Sequence, residues 1–279
     1  MTYLKNSLIG YVPAPPFDSI GFVRIYGLTM ALAIGVAVLI AHKRYAKRNS
    51  NSTLVIDVFL PVVISGIIGA RIYHLFTGYN WSRDGIVGTI KLRNGGLSIW
   101  GAVIGGALMV AFICHRKKVS FLRLGDSIAV ALLFAQAIGR FGNYFNQELF
   151  GKPSNSFWAL KVDPIYRPVG FENVSTFHPT FLYEALWCII LAGIIIFLER
   201  RVANWPKGAS LATYIGGYCL GRSIFEYLRI DTATKVFGIR FNLMLSIVLC
   251  LAGFLWLMKL LISNKDIEKY SELSIPEAE

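Results

Sequence analysis

Charge is scarce in this chain of 279 residues: Asp, Glu, Lys and Arg make up 16% of it, against 55% hydrophobic residues. So small a charged share, with apolar runs of about 20 residues, excludes an ordinary soluble domain and points to several membrane crossings. Cysteine is scarce too. Cys114, Cys188, Cys219 and Cys250 all lie in apolar runs without ligand-like spacing, so they read as small core residues rather than disulfides or a metal site. The four histidines are equally scattered, which argues against a metal enzyme. No solenoid-period repeat and no inverted repeat stands out. Residues 1–18 lack a sustained apolar core and contain Pro13, Pro15 and Pro16, so an irregular stretch at the membrane surface is expected there rather than a signal peptide.

What charge there is has a pattern. A net charge of +12 would suggest a nucleic-acid partner in a soluble chain. Here much of the basic charge sits beside apolar runs, at 43–48, 116–118 and 200–201, so it anchors spans and no nucleic acid is expected. The runs predict an all-α polytopic membrane protein of about seven transmembrane helices. They cover about Ile20–Ala41, Leu54–Phe76, Gly96–Cys114, a fourth with the apolar run Ser127–Ile138, a fifth from His178 to Arg201, then Ala209–Ile230 and Phe241–Ile262. Keeping the basic clusters inside places the N-terminus outside and the C-terminus in the cytoplasm. The whole, 1–279, reads as one integral membrane domain. Residues 152–177 form a small extracytoplasmic cap, too long for a simple turn, and 263–279 a mobile cytoplasmic tail.

Several polar residues do not suit lipid-facing helices. The fourth span closes in Gly139-Arg140-Phe141-Gly142-Asn143-Tyr144-Phe145-Asn146-Gln147-Glu148-Leu149-Phe150-Gly151. An ionised side chain at mid-membrane costs roughly 2.5–3.5 kcal/mol on insertion scales, so it persists where it is paired or faces a polar cavity. If the helix continues, Arg140, Asn143 and Gln147 share a face. Glu184 lies about two turns inside the fifth span. In the sixth, Arg222, Glu226 and Arg229 share a face at four- and three-residue spacing, so that Glu226 can pair both arginines. The second span carries Asp57 and Arg71, too far apart to pair with each other, with Gly66, Gly69 and Ala70 permitting close helix approach. Tyr26 fits an interfacial belt residue, with a site role as the alternative. Two arginines beside carboxylates and amides suit an anionic phosphate headgroup, because guanidinium forks match phosphate and stay charged. The residues alone leave open whether such a lipid is bound, moved or cleaved.

These motifs resemble those of the prolipoprotein diacylglyceryl transferases. The likeness runs through Tyr26-Gly27-Leu28, Gly69-Ala70-Arg71, Asn94-Gly95-Gly96-Leu97, the long string from Gly139 to Gly151, His178-Pro179-Thr180-Phe181-Leu182-Tyr183-Glu184 and the Arg222–Arg229 face. It implies transfer of the diacylglyceryl group of phosphatidylglycerol to the lipobox cysteine thiol of a preprolipoprotein, giving a thioether and glycerol 1-phosphate. It also implies seven spans in a bacterial cytoplasmic membrane, an active site toward the outer face and no cofactor. Residue reading and resemblance together nominate Arg140, Arg222 and Glu226 for the chemistry. For substrate binding they nominate Tyr26, Arg71, Asn143, Asn146, Glu148, Gly151, Glu184 and Arg229. A phospholipid transporter or flippase with an arginine-lined cavity is the alternative, though such proteins usually show repeats. One departure stands out: many members carry a histidine, proposed as a base, where this chain has Trp100, and tryptophan is not a base.

Overall fold

The computed structural model describes residues 11–21, 23–47, 53–77, 98–231 and 233–273. The Asn94–Leu97 motif with the expected start of the third span at Gly96, Arg48 and the end of the tail lie outside the described residues. Among the described residues, seven long helices carry the fold: α1 (Ile25–Ala46), α2 (Leu54–Thr77), α3 (Ile99–Arg116), α4 (Phe121–Phe145), α5 (Thr180–Arg201), α6 (Ala209–Leu228) and α7 (Phe241–Leu273). Six of these are long and apolar enough to cross a membrane. The exception by composition is α6, whose 20 residues include Arg222, Glu226 and three tyrosines, Tyr214, Tyr218 and Tyr227. Large apolar side chains such as Leu108, Phe112, Phe197 and Leu251 stand exposed on the helices. In water such faces would aggregate; in a bilayer they meet acyl chains.

Several helix ends differ from the expected spans, and α7 runs on to Leu273, past the expected end at Ile262. The first helix begins at Ile25, not Ile20, because Ser19–Ile20 (β1) and Val23–Arg24 (β2) pair as a hairpin turning at Gly21, φ 62°. At its other end it runs on through Lys43 and Arg44, where basic side chains complement the carbonyl end of a helix. Helix α4 is longer than its apolar run at both ends and contains Arg140 and Asn143. Helix α6 stops at Leu228, and Arg229 is extended, φ −73° and ψ 144°.

The chain divides into two compact units, residues 1–37 with 128–279, and residues 38–127. The smaller unit holds α2 against α3. Gly69 of α2 faces the Gly101 carbonyl and the Gly105 Cα, and a Cβ on Gly101 would strike Gly69 and Tyr73. Without a hydrophobic drive between helices in lipid, such glycine seams supply the van der Waals contact. They realise the close approach expected around Arg71, which is buried in α2. Trp100 lies in the first turn of α3. Asp57 finds its partner in Lys117, Nζ to Oδ2 2.7 Å; both are exposed, so the pair contributes little.

In the larger unit, α4 and α5 pack through Val130, Leu133, Ala137, Ala185, Cys188, Leu191, Ala192 and Ile195. Small residues then draw α6 against α5 on one flank and α7 on the other. Gly221 meets Trp187, Gly217 meets Leu191, and Gly216 meets the Phe254 ring. Trp187 Nε1 donates to the Gly217 carbonyl at 2.9 Å, fixing the register of α5 against α6. Between α4 and α5 the chain forms the cap. Leu160–Lys161 (β3) pairs antiparallel with Thr176–Phe177 (β4). Phe150, Leu160, Val162, Phe177 and Phe181 form the core beneath them. Val12 bridges to Leu160, so part of the N-terminal stretch joins the cap.

Candidate functional site

Four elements of the larger unit bring charges together: Arg140 from α4, Glu184 from α5, Arg222 and Glu226 from α6, and Arg240 from just before α7. Arg140 of α4 reaches Glu184 of α5, Nη2 to Oε2 2.5 Å. The same carboxylate oxygen lies 3.3 Å from Nη1 of Arg222. Arg222 Nη2 in turn lies 2.6 Å from Glu226 Oε2, one turn along α6. Thus Glu184 draws two guanidinium groups from different helices to one point, and the Arg222–Glu226 pairing read from spacing is present. Arg140 also donates to the Tyr218 hydroxyl at 3.3 Å, and Tyr218 stacks on Tyr214.

The third member of the expected α6 face behaves differently. Because the helix has ended, Arg229 turns away from Glu226 and forks onto Asp231, Nε to Oδ1 2.7 Å and Nη2 to Oδ2 3.0 Å. Glu226 takes its second cation from Arg240, Nε to Oε1 2.7 Å. Arg240 ends the hairpin of Lys235–Val236 (β5) and Ile239–Arg240 (β6) and is also 3.2 Å from Asp231 Oδ2. Sequence reasoning passed over Arg240 and Asp231. An arginine abutting the seventh span, with an acid nine residues before it, was the signal available. Burial pushes the Asp231 carboxyl up, but the Arg229 fork and the Arg240 charge outweigh it and hold it below the ordinary aspartate range.

Exposure is unequal across the cluster. The side chains of Glu184 and Glu226 are 6% and 1% exposed, whereas Arg140, Arg222 and Arg240 are 16–17% exposed. The carboxylates are the enclosed partners, so an approaching ligand meets mostly guanidinium. An anion is the ligand such a surface attracts.

The remaining signature residues form a second group at the α4 end. Asn143 donates to Glu148 Oε1 at 2.8 Å and Asn146 to the same oxygen at 3.2 Å. Glu148 is thus joined to the amides rather than to the arginines. Gln147 does not share the helix face of Arg140. Helix α4 ends at Phe145, and Gln147 has φ 48° and exchanges hydrogen bonds with Asp163, 2.6 and 2.8 Å. Tyr26 lies against Gly142: a Cβ there would come within 2.7 Å of the ring. Gly151 is equally confined, with His178 Cβ, Thr180 Cγ2 and the Leu228 carbonyl around it. It bridges to Arg229 and so ties the signature to the end of α6. Arg71 belongs to the smaller unit.

His178 sits in the seam of the cap. Its carbonyl accepts from Gly151 and Thr180, and Nδ1 lies 3.1 Å from the Tyr183 hydroxyl. That hydroxyl accepts from Trp158 Nε1 at 2.7 Å, leaving its own proton to donate to the imidazole.

A multi-pass helical bundle with arginines and carboxylates paired at its interior defines a class: membrane proteins that handle an anionic amphiphile. Comparison with known proteins narrows it. The prolipoprotein diacylglyceryl transferase family model matches residues 17–259, and the chain belongs to that family. It is similar to the phosphatidylglycerol–prolipoprotein diacylglyceryl transferase of Corynebacterium diphtheriae, 39% identical over 82% of this chain and 85% of the relative. A namesake from Streptomyces coelicolor, numbered 2, is 35% identical over 98% of this chain and 86% of the relative. One from Frankia casuarinae is 40% identical over 83% of this chain but 57% of its own greater length.

Proposed function

We propose that this chain transfers the diacylglyceryl group of phosphatidylglycerol to the thiol of a preprolipoprotein's lipobox cysteine. The sulfur attacks the glycerol carbon bearing the phosphate ester, that C–O bond breaks, and glycerol 1-phosphate leaves with the electron pair. A free thiol has a pKa of about 8.5, so only a few per cent is thiolate near neutrality, yet thiolate is strongly nucleophilic. The harder task is the charge gathering on the departing phosphate. Arg140 and Arg222, gathered by Glu184 Oε2, are the observation that carries this reading. Each is worth about 3–4 kcal/mol if it acts like one oxyanion donor. Glu226 holds Arg222, while Asn143 and Asn146, with Glu148, offer amide and carboxylate contacts to the glycerol headgroup; Tyr26, Gly151 and Arg229 complete the binding set. Purified protein given phosphatidylglycerol and a lipobox peptide should yield lipidated peptide and free glycerol phosphate. Lipid movement across vesicles without either product would instead establish the transporter.

We place the protein in the bacterial cytoplasmic membrane with the cap and site toward the outer face, on the strength of the basic clusters. Val169 in the cap is 94% exposed, and Lys118 is exposed after α3. A membrane-impermeant thiol reagent added to intact spheroplasts should therefore label Val169→Cys and spare Lys118→Cys. The reverse pattern would put the site on the wrong leaflet.

The reaction needs one proton removed from the thiol, and general-base help is typically worth about 10²–10⁴-fold. His178 is occupied as a strut of the cap, so His178→Gln is expected to stay within about tenfold of wild type in single-turnover transfer, well short of that loss. A thousandfold loss with normal protein level would make it the base.

A further inference from the structure

The four arginines of the ion-paired chain, Arg140, Arg222, Arg229 and Arg240, face three carboxylates, Glu184, Glu226 and Asp231, which leaves one positive charge in excess. Arg240 is where that excess is decided. Its guanidinium makes more polar contacts than any other in the chain of pairs. Nε donates to Glu226 Oε1 at 2.7 Å, Nη1 to the carbonyls of Asp231 at 3.0 Å and Arg229 at 3.3 Å, and Nη2 lies 3.2 Å from Asp231 Oδ2. Glu226 is fully enclosed, and its two oxygens are divided: Oε1 goes to Arg240, and Oε2 lies 2.6 Å from Arg222 but off the hydrogen-bond axis. A carboxylate shared in this way neutralises each arginine only in part.

We propose that Arg240 is a positioning residue for phosphate capture: by taking half of Glu226, it keeps Arg222 from being neutralised within the protein and leaves the cluster cationic. This rests on the transferase reading above. Without Arg240, the Glu226 carboxylate belongs to Arg222 alone, Arg222 is flanked by two carboxylates, and the cluster carries no net charge. An anionic headgroup then loses its attraction while the groups at the reacting carbon stay in place. The hairpin ending in Arg240 thereby sets substrate affinity from outside the helix ends that hold the reacting groups.

The test is steady-state transfer to a lipobox peptide with phosphatidylglycerol varied in mixed micelles, with thermal stability and protein level measured in parallel. Arg240→Gln should raise the KM for phosphatidylglycerol by about tenfold or more, the scale expected for one partly buried charge, with kcat within about threefold. Arg240→Lys, which keeps the charge, should recover most of that KM. Asp231→Asn lies outside the spans and changes the count in the opposite sense, so it should lower KM. A purely structural clasp predicts less active protein at unchanged KM in both the Gln and the Asn variants. That outcome, or a lysine variant as impaired in KM as the glutamine one, would overturn the proposal. Should Arg240→Gln fail to accumulate, the direction of the Asp231→Asn shift decides. An inactive wild type would count against the transferase reading and not against this inference.

Discussion

Arg222→Ala is expected to lower diacylglyceryl transfer by about 10²–10³-fold, the loss typical of removing one donor to developing negative charge. The geometry says why alanine should hurt and why lysine should not repair it. Arg222 presents Nη1 to Glu184 and Nη2 to Glu226, two carboxylates on different helices. A guanidinium spans both with a planar fork and still offers edge to a phosphate; a single ammonium is a point charge and cannot. Arg222→Lys should therefore recover less than about tenfold of the loss. The measurement is single-turnover transfer normalised to the amount of folded protein in the membrane. Full activity in the lysine variant would reduce Arg222 to a generic positive charge and remove the bidentate argument.

The parts of the fold that could be read in the sequence are those a bilayer dictates. A helix must be apolar for about 20 residues to cross, so α2, α3, α5 and α7 stand close to where their apolar runs begin. Helix termini are set by local backbone events instead, and they decided the misreadings. Arg229 was placed on the α6 face because three-residue spacing assumes a helix, but the helix stops one residue earlier. Gln147 was placed beside Arg140 for the same reason, and α4 stops two residues before it. The pairing of Arg222 with Glu226 is local and was legible. The pairing of Arg140 and Arg222 through Glu184 spans three helices and depends on the approach permitted by Gly217 and Gly221, which no spacing rule reports. Arg240 escaped notice because an arginine at the mouth of a span is ordinarily an interfacial anchor. Its role shows only once the hairpin folds it back onto a buried carboxylate.

Glu184 gives the second large effect, and it separates stability from chemistry. Its side chain is buried, and one carboxylate oxygen serves both Arg140 and Arg222. Removing one partner of a buried ion pair typically costs about 3–5 kcal/mol, because the remaining charges stay desolvated without their counter-ion. Glu184→Leu leaves two guanidinium groups facing an apolar side chain and is expected to fail to accumulate in the membrane. Glu184→Gln keeps the shape and one acceptor oxygen, so it should insert, with a clearly lower unfolding temperature in detergent. Its kinetics should divide unevenly. The extra net positive charge favours capture of an anionic lipid, so the KM for phosphatidylglycerol should hold or fall. The two guanidinium groups, no longer drawn to one oxygen, repel each other and lose the geometry that meets the leaving phosphate. A misplacement of about 1 Å can cost on the order of 10²-fold, and kcat should fall by about that factor. A raised KM at unchanged kcat would mean that Glu184 serves headgroup capture alone, and the leaving-group geometry would then have to come from elsewhere in the cluster.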